Sequence, residues 1–392
     1  MTKNKIVFLL ATPPPVNFSK SYFIEELVNA NFLCEVWDLS SIVKKDVDWP
    51  IESMNIPIYK LTGLNELVNK VRSNDTSATV FVAQMTPGGE FLIPFLVLSV
   101  FNKKTVFFQR GVLPSRISYS AGTNGISKYR KVLKLIFVDR KLKFIFLHSL
   151  FLLFSRFNVI KGFDVVFVAG KVAETVGALT AQKMVHIHHR DLDNTHRNSG
   201  TQFESLDAPE KYCVFLDDYL PYHSDFVSNN IKTIDAEKYY SMMRSFFDEF
   251  EKINNTIVVV AAHPKSSYRE NIFGERMIVY DATDVLVKNA VIVMTHASTA
   301  ISFSIIYNKP VCLLISQEIE ETHPNIKQVI TSTGKILKCN IYDYEKNLYP
   351  KLSEISVDDD AYKFYRRQYL SSIDNSRFSS DIVINEITKL FN

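Results

Sequence analysis

Thr256–Tyr268 reads TIVVVAAHPKSSY and Asp281–Ser316 reads DATDVLVKNAVIVMTHASTAISFSIIYNKPVCLLIS, with a charged connection between them. Two short runs rich in Val and Ile, Ile257–Ala261 and Val291–Met294, each stop abruptly in polar residues. Runs of this length and composition predict buried parallel strands. The first ends in His263-Pro264-Lys265-Ser266-Ser267, the second in Thr295-His296-Ala297-Ser298-Thr299. In open α/β sheets a ligand sits outside the carboxyl ends of the strands. Ser298 and Thr299 stand just before AISFSIIY, which is helical in character. Hydroxyls beside a helix start suit an anion, most readily a phosphate. Taken singly, a Ser-Thr pair is only a helix cap and a His after a strand only a structural residue. Two strands whose carboxyl ends are of the same polar type favour a phosphate or nucleotide site.

Outward from this stretch, the chain has room for two domains: it is 392 residues long and 46% hydrophobic, so a large core is available. A net charge of +3 does not argue for nucleic acid as a partner. Cys34, Cys213, Cys312 and Cys339 are scattered without CxxC spacing, which indicates neither a zinc site nor a disulfide framework and fits a reducing cytoplasm. The apolar run in MTKNKIVFLLATPPP is short for a signal peptide and reads as a first strand.

In chain order, strands are expected at Lys5–Ala11, Phe32–Leu39, Thr79–Ala83, Thr105–Gln109, Asp164–Ala169, Val185–His188 and Tyr212–Leu216. Helices are expected at Ser21–Ala30, Phe91–Phe101, after Gly170, and at Ala236–Ile253. Alternation of this kind implies a parallel sheet covered on both faces. Polar and glycine residues again gather at strand ends, as Gln84, Gly88, Gly89 and Glu90 and as Gln109, Arg110 and Gly111. The polar run Asn194–Glu210 reads as a linker. The expected organisation is a first Rossmann-like domain over 1–200, a second over 201–370, and a closing helical segment over 371–392 that packs back across both. The fold class is α/β, with the two Rossmann-like domains facing a cleft.

Lys128–Lys143 carries seven Lys or Arg and one Asp, and FIFLHSLFLLF follows, then Arg156 and Lys161. The apolar part is too short for the ~20 residues of a membrane-spanning helix. A basic, Phe- and Leu-rich segment of this kind suits an anionic membrane surface, or else a helix packed on the sheet with a solvated basic face.

No GxGxxG follows a strand and no GxxxxGK[ST] occurs, which disfavours dinucleotide enzymes and P-loop NTPases. The strand-end candidates are Asp217, Asp218, His263, Ser298 and Thr299, with Glu90 and Arg110 from the first half. A carboxylate, a His and a hydroxyl pair suit glycosyl transfer. The carboxylate deprotonates an acceptor hydroxyl or attacks the anomeric carbon, while the His and hydroxyls carry the charge of a departing phosphate.

Asp217-Asp218, then His263-Pro264, then Ser298-Thr299 follow one another in that order. The series resembles bacterial sialyltransferases and Kdo transferases, which use CMP-sugars and share a GT-B fold. The resemblance covers about 100 residues of the second half of the chain. It implies that the acidic residue is base or nucleophile and that His263 contacts the phosphate and gives a proton to the leaving group. It also implies that Pro264, Lys265, Ser298 and Thr299 belong to the CMP-binding side. Tyr219 stands where many sialyltransferases carry Gly after the acidic pair. Some of those families place the catalytic carboxylate in the first domain, which keeps Glu90 a candidate. The function expected is transfer of a 2-keto sugar acid from a CMP-activated donor to a surface-polysaccharide or lipid-linked glycan. It needs no cofactor and no metal, and takes place in the cytoplasm or on the inner face of the membrane. Two rivals stand beside it. Asp191-Leu192-Asp193 has the DxD spacing of a metal-dependent GT-A transferase, with His188 and His189 before it. A non-catalytic scaffold for polysaccharide assembly at the membrane is the other.

Overall fold

The computed structural model describes residues 4–14, 17–43, 56–114, 139–175, 180–198, 209–223, 226, 231–268, 271–346, 348–374 and 376–392, apart from the side chains of 139–144, 175 and 198. β1 (Lys5–Leu10), β2 (Leu33–Asp38), β3 (Ile58–Lys60), β4 (Thr79–Ala83), β5 (Lys104–Gln109), β6 (Phe163–Ala169) and β7 (Ala181–Ile187) form a seven-stranded sheet in the order β3-β2-β1-β4-β5-β6-β7. β8 (Cys213–Leu216), β9 (Val258–Ala261), β10 (Ile278–Val279), β11 (Val293–Thr295), β12 (Val311–Ile315) and β13 (Ile341–Asp343) form a six-stranded sheet in the order β10-β9-β8-β11-β12-β13. Every strand pairing among the described residues is parallel. β8 and β9 are buried along their whole length, as continuous Val-rich runs require when both faces are covered. In each sheet the strand order reverses once, between β1 and β4 and between β8 and β11. Those reversals are where an α/β sheet opens a crevice for ligand.

The chain divides into two units. One takes Met1–Arg110, Ala121–His188 and Ser371–Asn392; the other takes Gly111–Ser120 and His189–Leu370. The second unit thus takes up the chain at His189, ahead of the polar run read as a linker. Arg190–Asn198 is helical, which corrects the first part of that run, while 199–208 lie outside the described residues. Asp359–Tyr365 belongs to the second unit, whereas the closing segment 371–392 falls in the first with its helix Ser379–Lys389. Ile382, Val383 and Ile387 of that last helix join the core built on Phe8, Val36, Val82 and Phe167. Buried His188 ties it down: its Nδ1 pairs with Ser371 Oγ at 2.7 Å, its Nε2 with the Arg377 carbonyl at 2.8 Å, and its backbone N–H donates to Ser379 Oγ at 3.0 Å.

The helix after β8 shows how the sequence fixes local structure. Asp235 accepts from the Lys238 N–H at 2.8 Å and starts it, and Asn255 at φ 45° stops it. Between them Tyr239, Tyr240, Met243, Phe246, Phe247 and Phe250 recur at helical spacing and are all buried. Each such side chain contributes about 1.5–3 kcal/mol of burial. Phe215 of β8 meets Phe247 at 5.2 Å between ring centroids. The expected single helix Ser21–Ala30 is instead two short ones, Phe18–Ser21 and Ile24–Asn29, because Phe23 lies in the left-handed region at φ 60°. The turn after Gly170 is one 3-10 turn, Val172–Thr175.

Candidate active site

β8 lies between β9 and β11, so the three motifs end side by side on three neighbouring strands of the second unit. Asp217 follows β8 directly and is 2% exposed. Its Oδ1 accepts from the Tyr219 N–H at 2.9 Å, and its Oδ2 accepts from the Tyr268 hydroxyl of the loop after β9. The His263 backbone N–H, on the same loop, also donates to it. Asp218 is 8% exposed and turns to the other neighbour. Its Oδ2 accepts from the Ala297 N–H at 2.8 Å, and the His296 N–H and the Ser298 hydroxyl add to it. Just past the end of β8 the two carboxylates thus bond to the loops of the two flanking strands. Asp218 faces the Ser298 loop.

Burial pushes the Asp217 carboxyl up to about 6, against the pull of Tyr268 and the Tyr219 and His263 N–H groups. Burial pushes Asp218 up to about 7, and the neighbouring Asp217 adds to it, against the Ala297 N–H. Both folded values lie above the ~3.9 of an unfolded Asp. The folded chain thus keeps these protons longer than the unfolded chain does. The stability they contribute is complete below pH ~4 and is lost as pH rises toward 6 and 7. Each pH unit costs on the order of 1 kcal/mol per carboxyl, up to about 6 for Asp217 and about 7 for Asp218. Urea unfolding between pH 4.5 and 7.5 is expected to show this fall and to show it flattened in Asp217→Asn and Asp218→Asn. Equal pH slopes in wild type and variants would remove the two carboxyls as its source.

His263 is half-buried, and its Nδ1 accepts from the Lys265 N–H at 3.1 Å. In the neutral ring this places the proton on Nε2. Pro264 and Lys265 are exposed at the tip of the turn, which Ser266 closes onto the His263 carbonyl at 2.7 Å. The Tyr219 ring lies parallel to the His263 ring at 6.1 Å. Tyr219 itself sits at φ 51°, the left-handed region that favours glycine. The backbone here takes the conformation that the expected Gly would, and the Tyr ring is added on top.

Ser298 is half-buried and Thr299 exposed. Neither caps the following helix with its side chain: the helix runs Ile301–Ile306 with Ala300 at its start. Ser298 Oγ accepts weakly from the Ala300 N–H at 3.4 Å, and the Thr299 carbonyl accepts from Ser302 Oγ at 3.0 Å. The plain cap reading of this pair therefore fails.

Three residues of this region were not among the sequence candidates. Tyr268 holds Asp217. His296 is fully buried, with Nδ1 on the Leu314 carbonyl at 2.9 Å and Nε2 on the Tyr239 hydroxyl at 3.0 Å. Burial pulls it down to about 4, so it is neutral and serves as a pin between β11 and β12. Tyr239 comes from the long helix described above.

The other candidates lie elsewhere. Glu90 is exposed on the 3-10 turn Gly89–Phe91 after β4, in the first unit. Arg110, also in the first unit, donates to the His188 and Ser21 carbonyls at 3.0 and 2.8 Å and lies over the Phe23 ring. It is a structural clamp rather than a strand-end catalytic group. Asp191 and Asp193 are buried in the first turn of Arg190–Asn198, and Asp191 accepts from the Ser302 hydroxyl. Among the described residues no cluster of three or more His, Cys, Asp or Glu is placed to hold a metal ion.

No protein-family model matches the sequence, and no curated protein is similar to it. Solved structures do share its architecture. The calicheamicin glycosyltransferase aligns with a TM-score of 0.52 at 11% identity, over 100% of this chain and 98% of the other. The glycosyltransferase of kitacinnamycin aligns with a TM-score of 0.54 at 9% identity, over 100% of both chains. The chain has the GT-B fold. The GT-A reading built on Asp191 and Asp193 is thereby corrected; both are buried, and Asp191 is held by Ser302.

Proposed function

We infer that the protein is a glycosyltransferase that moves a 2-keto sugar acid, of Kdo or sialic-acid type, from a CMP-activated donor to a surface-polysaccharide or lipid-linked glycan. One observation carries this reading. The acidic pair, the His-Pro turn and the Ser-Thr loop meet at the reversal point of the second sheet, with one Asp tied to each flanking loop. Asp217 is the catalytic carboxylate. Asp218 is a positioning residue that sets the Ala297–Ser298 backbone. The donor phosphate is taken by Ser298, Thr299 and Lys265, and its departing oxygen receives the proton on His263 Nε2. Meanwhile the acceptor oxygen bonds to the anomeric carbon and its proton goes to Asp217. The Tyr268 hydroxyl holds Oδ2, so Asp217 takes that proton after releasing Tyr268 or through it. The first unit is left for the acceptor, with Glu90 beside its own sheet reversal. The reaction runs at the cytoplasmic side of the membrane, where nucleotide-activated sugars are supplied.

A single leaving phosphate is within the reach of side chains and loop N–H groups, so no metal is required. Calorimetry with EDTA in the cell is expected to show CMP binding, with UDP and ADP weaker. UDP binding with no response to CMP would overturn the donor assignment. Binding lost on chelation and restored by Mn²⁺ or Mg²⁺ would overturn the metal-free reading. No nucleotide binding under either condition would favour the non-catalytic scaffold.

A further inference from the structure

The helix Asp139–Arg156 in the first unit is apolar on two opposite faces. Phe151 is fully buried and meets Phe95 edge-on at 5.7 Å, which accounts for the inner face. The outer face carries Phe146, Ser149, Leu152, Leu153, Arg156 and Phe157, all exposed. At 3.6 residues per turn these six fall within an arc of about 140°, opposite Phe151. Phe146 is 66% exposed and Phe157 69%, fractions that no solvated helix face needs. Val159 continues the face past the helix end, and Val100 of the neighbouring helix Leu92–Val100 is 68% exposed. Arg156 and exposed Lys161 supply positive charge, and the sequence holds no Asp or Glu from Lys141 through Gly162.

We propose that this face lies on an anionic lipid membrane, with Phe146, Leu153 and Phe157 entering the acyl boundary and Arg156 and Lys161 meeting the headgroups. The charge decides between lipid and a second copy of the chain. A two-fold contact between copies would gather the Arg156 and Lys161 charges of both on one face with no Asp or Glu from 141 to 162 to offset them, whereas an anionic surface complements them. Among the described residues no helix is long and apolar enough to cross a membrane, so the helix lies in the interface. The basic run from Lys128 to Lys134 lies outside the described residues. This inference stands on the first unit alone and does not depend on the transferase reading.

The test is co-sedimentation of the full chain with phosphatidylcholine vesicles, with and without phosphatidylglycerol, at low and high salt. Binding is expected to anionic vesicles only, with release by salt as the charges are screened. Phe146→Ser with Phe157→Ser is expected to lower partitioning at least ~10-fold at an unchanged melting temperature. Should that double variant melt early, Arg156→Gln with Lys161→Gln, which leaves the packing alone, is expected to reduce anionic binding in the same assay. Binding kept by both variants would place the membrane contact elsewhere and overturn the proposal. So would equally poor binding to all vesicles, or light scattering that shows a dimer dissolved by the Phe variants.

Discussion

Asp217→Asn is expected to lower turnover at least ~100-fold, the lower end for loss of an acid–base group, while CMP binding is kept. The substitution suits the site. An Asn oxygen still accepts from the Tyr219 N–H, and the amide nitrogen can donate to the Tyr268 oxygen, so the loop after β9 keeps its anchor. What disappears is basicity and most nucleophilicity. Asp218→Asn is expected to act differently. It weakens the hold on the Ala297 and His296 N–H groups, so CMP affinity falls more than turnover. A sugar adduct seen as added mass in a slow Asp217 variant would identify a nucleophile, and its absence a base. Near-normal turnover in Asp217→Asn with collapse in Glu90→Gln would move the catalytic carboxylate to the first unit. Near-normal turnover in Asp217→Asn, Asp218→Asn and Glu90→Gln alike would refute the mechanism.

Gly89→Ala is expected to be strongly destabilising. A Cβ at this position would stand 2.3 Å from the His148 N, 2.5 Å from the Leu147 carbonyl carbon and 2.8 Å from the His148 Cα. These are backbone atoms of the Asp139–Arg156 helix and cannot rotate aside. Relief requires the whole helix to move, which loosens Phe151 against Phe95. Overpacking of this kind costs about 1–3 kcal/mol and here belongs at or above the upper end. That corresponds to a fall in melting temperature on the order of 10 °C. Gly63→Ala is the control, since nothing lies within 4 Å of its Cβ and its backbone is extended. A Gly89→Ala protein that melts with the Gly63→Ala control would show that the helix has slack to retreat.

The strand ends and the order of the motifs were legible in the sequence. Val- and Ile-rich runs that stop in polar residues place β8, β9 and β11 to within two residues, because a strand buried on both faces tolerates only apolar side chains. The long helix Ala236–Asn254 was equally plain from its amphipathic pattern, whereas its Asp235 cap came only with the structure. Three matters were decided by tertiary structure alone. Asp217 and Asp218 are indistinguishable as a dipeptide. Their separate tasks follow from sheet order, which puts β9 on one side of β8 and β11 on the other. Gly89 was legible only as a loop glycine beside polar residues, whereas its role is to let a helix backbone approach, a contact between segments far apart in the chain. Arg110 carried the signature of a strand-end catalytic group, yet its guanidinium is taken by the carbonyls of Ser21 and His188. Local composition determines which segments become strands and helices because that depends on neighbours in sequence. Which carboxylate meets which loop depends on neighbours in space, and only the folded sheet brings those together.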